Sequence, residues 1–432
     1  MTPAARISAA IEVLQDIIER RRPAADALKD WGLSRRFAGS KDRAAIASLV
    51  YDALRRKASS GYAMASEEPR ALVLGMLRGL RGLSLGEIAA LCSGENHAPT
   101  PLSADETALL TAFSDEDAPS WVRADVPEWL WPAFERAFGA MAIEEGQALA
   151  ARAPVDLRVN RLRASREAVA KDLAHLQPEE GAWSPDALRF QPGQDGRGPS
   201  LQTETPFFAG AFEIQDEGSQ LVTLLAGVKP GETVIDLCAG AGGKTLALAA
   251  LMANRGNLYA TDLDGRRLAL REDRLARSGA DIVDIRIPRS RGHEPLADVA
   301  GQADLVLVDA PCTGSGTWRR NPDAKWRVRP GALAERIKDQ AEVLARAARL
   351  VKPGGRVAYI TCSMLPEEND EAIRSFLGKH PGFAVVAPID VLAGAESDFS
   401  LLARFVTEFG LQLSPRRTGT DGFYLACLRR GD

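Results

Sequence analysis

Over roughly the first 140 residues, apolar positions recur at intervals of three and four. Ile7, Ala10, Ile11, Leu14, Ile17 and Ile18 make one stripe, and Ile46, Leu49, Val50, Ala53 and Leu54 another. Each lies opposite a charged face, as in helices that bury one side. Two helix starts are spelled out by Ser84-Leu85-Gly86-Glu87 and Ser103-Ala104-Asp105-Glu106. In both, a hydroxyl stands three residues before a carboxylate, so that side chains satisfy the free amides of the helix end. Residues 1–140 are therefore expected to form a helical bundle. From 141 to 205 the text is mixed: Asp156-Leu157-Arg158-Val159-Asn160 alternates like a strand, and Ser165 opens a helix running to about Leu176. Pro192, Gly193, Gly196, Gly198 and Pro199 then mark a loop.

After residue 206 the period changes. Short apolar runs, Val234–Leu237, Leu258–Thr261, Leu305–Val308 and Val357–Ile360, alternate with helical patterns. One helix, expected over 333–350, carries Leu333, Ile337, Ala341, Leu344 and Ala348 on a single face. Alternation of this kind implies an α/β fold, Rossmann-like, with a mainly parallel sheet covered by helices on both sides. The expected organisation is an all-α bundle (1–140), a small α+β connecting subdomain (141–205) and the α/β domain (206–432).

The length of 432 residues suits two or three domains, and 45% hydrophobic with 26% charged residues is ordinary globular composition. No apolar run approaches the roughly 18 to 20 residues of a membrane helix. The amino end carries charges every few residues, where a secretory signal would have an apolar core. A cytoplasmic location, with no membrane association, is expected. Five cysteines, odd in number and scattered, suit reduced thiols rather than a disulfide framework, and the four histidines show no ligand spacing, so no metal is expected. The net charge of -4 says nothing for nucleic acid, but only a local basic surface matters for that.

The strand ending at Asp236-Leu237 runs into Cys238-Ala239-Gly240-Ala241-Gly242-Gly243-Lys244-Thr245 and then a helix, Leu246 to Met252. The glycines permit a tight turn and let a ligand lie on bare backbone at the positive end of a helix. A P-loop would need glycine where Cys238 stands, and a dinucleotide fingerprint would need it at Thr245, so ATP and NAD fit poorly. Asp262, after the next strand, is placed to accept hydrogen bonds from both hydroxyls of a ribose; its competing role is to cap a helix starting near Arg266. Gly loop, Asp262 and a polar switch after the fourth strand together fit an S-adenosylmethionine site.

Asp309-Ala310-Pro311-Cys312 and Thr361-Cys362-Ser363 each follow a strand. Two thiols distant in sequence thus reach the same sheet edge as the Gly loop, where ligands of such sheets gather. Cys92 and Cys427 sit in apolar runs and read as packing residues. Cys238 reads as a thiol tucked under the loop while its backbone touches the cofactor. The chemistry that needs a thiol beside a methyl donor is methylation of an unactivated ring carbon. Pyrimidine C5 is a poor nucleophile until a thiolate adds at C6; a base then removes the C5 proton and the thiol leaves. Asp309 is suited to bind the N3 and amino edge of cytosine.

These segments, with Ile214-Gln215-Asp216-Glu217-Gly218-Ser219-Gln220, Thr313-Gly314-Ser315-Gly316-Thr317, Arg319-Arg320-Asn321-Pro322-Asp323-Ala324-Lys325-Trp326 and Met364-Leu365-Pro366-Glu367-Glu368-Asn369, resemble the NOL1/NOP2/Sun RNA cytosine-C5 methyltransferases over the last half of the chain. The amino-terminal bundle and Leu157-Arg158-Val159-Asn160 look like the bacterial small-subunit ribosomal RNA member, whose first domain is similar to the antitermination factor NusB. The resemblance implies a class I methyltransferase fold, attack on C6 by Cys362 and product release assisted by Cys312. It implies cofactor contacts at Cys238, Ala239, Gly240, Ala241, Gly242, Gly243, Lys244, Asp262 and Asp309, with RNA, 16S ribosomal RNA foremost, as the partner of a monomer. One departure stands out. The family usually carries an Asp near the adenine about nineteen residues before Asp309, where this chain reads Arg286-Ile287-Pro288-Arg289-Ser290-Arg291.

Arg319, Arg320, Lys325 and Arg327, with Arg329, Arg336 and Lys338, form a basic run suited to phosphates around a flipped base. The competing reading is a solvated arginine-rich loop. Trp318 and Trp326 are either base-stacking groups or core residues. Arg20-Arg21-Arg22 and Arg35-Arg36 read as further RNA contacts or ordinary helix ends. Three other functions stay open at this point: the same chemistry on transfer RNA, a non-catalytic RNA-binding assembly factor, and a methyltransferase acting on an exocyclic nitrogen, which would need no thiol.

Overall fold

The computed structural model describes every residue except 194–197, 263–267, 269–271, 291 and 396. The helix expected near Arg266, Gly196 of the Pro/Gly loop and Arg291 of the basic stretch lie outside the described residues. The chain forms two compact units, one gathering Met1–Arg152 and Trp318–Val328, the other most of the remainder.

In the first unit, the helices Pro3–Arg20, Ser40–Arg55 and Pro69–Gly79 surround one core. Ile7, Ala10, Leu14 and Ile17 of one stripe and Ile46, Leu49, Val50, Ala53 and Leu54 of the other are buried in it. Both capping boxes form. The Glu87 amide donates to Ser84 Oγ and the Ser84 amide to Glu87 Oε2, and Ser103 and Glu106 repeat the pattern. What periodicity did not show is that eleven residues from the far half of the chain, Trp318–Val328, complete this unit. Trp318 stacks on Phe134 with ring centroids 5.7 Å apart, the Trp326 indole donates to Leu54 O at 2.7 Å, and the Ala24 amide donates to Asp323 Oδ2.

The second unit holds two sheets. The smaller joins β1 (Val155–Val159), β2 (Glu179–Glu180), β3 (Ala187–Phe190) and β4 (Phe212–Ile214), all antiparallel, in the order β2-β3-β1-β4. Its last strand lies beyond residue 205, so this sheet crosses the boundary expected from composition. Ser165 caps the helix Arg166–Asp172, which ends four residues earlier than expected and gives way to a tighter turn, Ala174–Leu176.

The larger sheet contains β5 (Thr233–Asp236), β6 (Asn257–Ala260), β7 (Val283–Ile285), β8 (Ala303–Asp309), β9 (Val351–Thr361), β10 (Phe383–Val385), β11 (Leu411–Gln412) and β12 (Tyr424–Arg430). Its order is β10-β12-β9-β8-β5-β6-β7, with β11 against β12. The strands from β9 to β7 run parallel, whereas β12 is antiparallel to β9 and to β10. Alternate residues face opposite layers: Val234, Leu258, Leu305 and Leu307 enter the core with the helices Glu217–Leu225 and Gly243–Leu251, while Ile235, Val306, Val308 and Val357 pack with Pro330–Leu350. Burial on both faces explains why these strands read as continuous apolar runs.

Candidate active site

The backbone leaves the sheet at one edge. The Ala239 amide donates to Thr261 O, the Leu237 amide to Leu307 O and the Ala310 amide to Ile360 O, which ties together the loops that follow β5, β6, β8 and β9. Between them lies a cavity of about 350 Å3. Its walls include Cys238, Ala239, Gly240, Ala241, Gly243, Lys244, Asp262, Asp309, Cys312 and Cys362, so residues expected to meet from four separate motifs do meet. Gly242 does not line it. At φ +82° it takes the left-handed conformation that turns the chain into the helix Gly243–Leu251, and Gly240, at φ +51°, makes the preceding bend.

Asp262 is 5% exposed and accepts the Gly240 amide at 3.2 Å, which fixes the glycine turn against the end of β6. Asp236, at the end of β5, accepts Thr245 Oγ1 at 2.7 Å, and burial raises its carboxyl to about 7. Lys244 points along the cavity and donates to Asp309 Oδ2 at 2.8 Å. Burial works against its charge, but Asp309, then Cys362 and Asp236, hold the ammonium above its ordinary range.

The sulfurs of Cys312 and Cys362 are 3.3 Å apart. Their environments differ. The hydrogen bond to Cys362, then burial and the charges of Cys362 and Glu368, push the Cys312 thiol well above the usual range. Cys362 lines the same cavity as the Lys244 cation. Cys238, half-buried at the cavity wall, is also held well above the ordinary thiol range, by burial and then by Asp262, Asp236 and Asp309. Cys427, buried in β12, is pushed up to about 12, and Cys92 is buried in the first unit.

Gln215 and Ser219 also line the cavity without having been singled out from sequence; Gln215 lies just ahead of the helix Glu217–Leu225, and its side-chain amide donates to Ser219 Oγ at 3.1 Å. Both stand in a motif already noted, but nothing in the spacing gives them a role. Among the described residues the buried Gln215 Oε1 finds no hydrogen-bond partner, an acceptor waiting for a ligand donor. Together with the left-handed glycine bend, the helix start and the buried acid after β6, it fits a nucleoside-bearing cofactor.

The basic run divides, and part of the expectation is corrected. Arg319 and Lys325 are 4% and 1% exposed and lie inside the first unit, not at a surface open to phosphate. Lys325 Nζ donates to Arg55 O at 3.1 Å over the face of Trp326, and burial lowers it to about 7. The Arg55 guanidinium donates to Arg319 O at 2.5 Å. Trp318 and Trp326 are packing residues by the same contacts. Spacing could not separate these cations from solvated ones because the motif forms a short helix, Pro322–Arg327, with one face buried. Arg327 is exposed and pairs with Asp323, and Arg320 is half-buried. In the first unit Arg20, Arg22 and Arg35 pair with Asp16, with Asp16 and Asp30, and with Glu12. Arg286, where the usual adenine acid is missing, pairs with Asp284 and Asp298. Among the described residues no cluster of three potential metal ligands occurs, and no helix is long and apolar enough to cross a membrane.

A doubly covered, mostly parallel sheet with a glycine turn after its first strand and an acid after its second is the frame of a class I methyltransferase, whose cofactor is S-adenosylmethionine. Residues 222–429 match the model of the 16S rRNA methyltransferase RsmB/F family, and residues 126–195 match the RsmF/B-like ferredoxin-like domain. The chain is 31% identical to the ribosomal RNA small subunit methyltransferase B of Thermus thermophilus, over 98% of this chain and 96% of that protein. A probable methyltransferase of the same name from Bacillus subtilis is 34% identical over 70% of this chain and 66% of its own length. Among solved structures, PH0851 superposes over 100% of this chain and 99% of its own (TM-score 0.72, 27% identity), and a methyltransferase homolog from Pyrococcus horikoshii over 72% and 97% (0.57, 26%). The chain belongs to the RsmB/F family of ribosomal RNA methyltransferases.

Proposed function

We propose that this protein transfers a methyl group from S-adenosylmethionine to C5 of a cytosine in RNA, with 16S ribosomal RNA as substrate, acting as a cytoplasmic monomer. The observation that carries the reading is the pair of thiols 3.3 Å apart at the wall of the cofactor cavity, one beside Lys244 and the other hydrogen-bonded to it as a thiol. A methyltransferase acting on an exocyclic nitrogen needs neither.

Cys362 adds as a thiolate to C6, forming the C–S bond and placing electron density on C5. Asp309, held by Lys244, binds the N3 and amino edge of the base and supports the protonated ring. When bound, S-adenosylmethionine supplies the electrophilic methyl group that C5 takes up, and it would rest on the backbone from Cys238 to Gly243, with Asp262 and Gln215 as acceptors. A base such as water then takes the C5 proton, the C–H electrons close the C5–C6 double bond, and the electrons of the C6–S bond return to Cys362, whose departure Cys312, within reach of that sulfur, assists. Arg320 and Arg327 remain candidates for phosphate contacts. Arg319 and Lys325, buried, do not.

Bisulfite sequencing of total RNA from cells carrying the wild-type chain or Cys362→Ala tests this. Loss of a 5-methylcytosine in the small-subunit ribosomal RNA is expected. Loss confined to a transfer RNA would move the substrate but keep the chemistry, and no lost site would leave the RNA-binding assembly factor as the better account.

A further inference from the structure

The two cysteine loops are joined by more than the contact of their sulfurs. Glu368, fully buried just after the Cys362 loop, accepts four hydrogen bonds. Its Oε1 takes the Thr313 amide at 2.8 Å and Gln340 Nε2 at 3.0 Å; its Oε2 takes the Thr313 and Ser363 hydroxyls, each at 2.5 Å. Thr313 follows Cys312 and Ser363 follows Cys362, so one carboxylate holds the residue next to each thiol. Gln340 also donates to Pro311 O at 3.0 Å, which brings the other side of the Cys312 loop into the same clamp. Around it, Ser315 Oγ meets Ser363 Oγ at 3.1 Å, and the Gly316 amide donates to Cys362 O at 2.9 Å.

Burial raises the Glu368 carboxyl above its ordinary range, and the Ser363, Thr313 and Gln340 donors work against that rise by favouring the carboxylate they surround. An acid is otherwise an expensive group to bury, and neither the apolar core nor the glycine loop needs it there. Its charge also acts on Cys312.

We propose that Glu368 is a positioning residue for the methyl transfer: its carboxylate clamps the Cys312 and Cys362 loops together, so that the second thiol stands within reach of the adduct formed by the first. Gln340 braces the same clamp from the helix Pro330–Leu350. The proposal rests on the reading of Cys362 and Cys312 as nucleophile and release group.

The test compares wild type with Glu368→Gln, Glu368→Asp and Thr313→Val. The first keeps the shape but places a carboxamide NH2 donor where an acceptor is needed, and the last removes one hydroxyl donor. Each is assayed for S-adenosylmethionine binding, steady-state methylation of RNA, and covalent trapping on RNA containing 5-fluorocytosine. Wild type must methylate and trap; if it does neither, the functional reading fails and not the clamp. Given that, Glu368→Gln is expected to bind cofactor within about twofold of wild type and to keep its KM for RNA. Its kcat should fall on the order of a hundredfold, the usual effect of a displacement of about 1 Å in a reacting group. Partial recovery in Glu368→Asp and a smaller kcat loss in Thr313→Val complete the expected pattern. Wild-type kcat in both Glu368→Gln and Thr313→Val overturns the proposal, as does a parallel loss of cofactor binding and turnover in all three variants, which would make Glu368 a residue of the fold alone.

Discussion

Cys312 and Cys362 are separated by fifty residues and lie with their sulfurs 3.3 Å apart, each on a loop that leaves an adjacent strand. A hydrogen bond joins the two thiols, and their surroundings differ. Cys312 is held protonated by its neighbours, while Cys362 shares its cavity with the Lys244 cation. Spacing alone could not order their roles, because both motifs end a strand in the same way.

Replacing the two sulfurs separately should therefore give opposite results. Cys362→Ala should abolish both methylation and covalent capture of RNA containing 5-fluorocytosine. Cys312→Ala should slow turnover yet leave the adduct formed, visible as a shifted band on a denaturing gel. A Cys312→Ala protein that never captures RNA while Cys362→Ala does would reverse the assignment.

Lys244 carries a second expectation. Lys244→Met keeps the length of the side chain but leaves Asp309 without its partner at 2.8 Å and removes the cation beside Cys362. Methylation should fall on the order of a hundredfold or more, since a charged hydrogen bond and the thiolate's counter-charge go together. Alkylation of Cys362 by iodoacetamide near neutral pH, followed by mass spectrometry, should slow in the variant; an unchanged rate would remove Lys244 from the activation of sulfur.

Asp236 gives a prediction about stability. Its carboxyl is raised to about 7 by burial, against an unfolded value of about 3.9. Between these values the native state holds a proton that the unfolded chain has released, so stability falls as pH rises from about 4 to 7. Asp236→Asn can still accept from Thr245 and has no charge to bury. It should be nearly neutral near pH 4 and more stable than wild type at pH 8, by on the order of a few kcal/mol. Urea denaturation across that range, with parallel curves for the two proteins as the adverse outcome, checks it.

Lys325 shifts in the opposite sense. Burial lowers it to about 7 from an unfolded value near 10.4. Between these the unfolded chain binds the proton and the native state does not, so stability rises with pH. Relative to Lys325→Met, the wild type should gain on the order of a few kcal/mol between pH 7 and pH 10. The slope, followed through the fluorescence of the buried tryptophans, is the quantity to compare; equal slopes would mean the ammonium reaches water.

Much of this molecule was legible from period and punctuation. The stripes of the first helices, the Ser84 and Ser103 caps and the strands that meet at the cavity are local signals, and the fold obeys them. The loops at Gly240, Asp309, Cys312 and Cys362 converge because parallel strands bring their carboxyl ends to one edge. What stayed hidden depends on partners distant in the chain. Nothing near Lys325 announces that Arg55 O will accept its hydrogen bond, and nothing near Glu368 announces Thr313. The antiparallel strand Tyr424–Arg430 was missed because, with both faces buried, it has no period that distinguishes it from its parallel neighbours.

The eleven residues Trp318–Val328 make the helical unit discontinuous along the gene. A fragment ending at Arg152 would lack Trp318, which covers Phe134, and the Trp326 and Lys325 groups that engage Leu54 and Arg55. The unit that can be exchanged between relatives is therefore two pieces of sequence: an amino-terminal domain grafted from another member must bring its own version of this insert, or lose part of its core in the transfer.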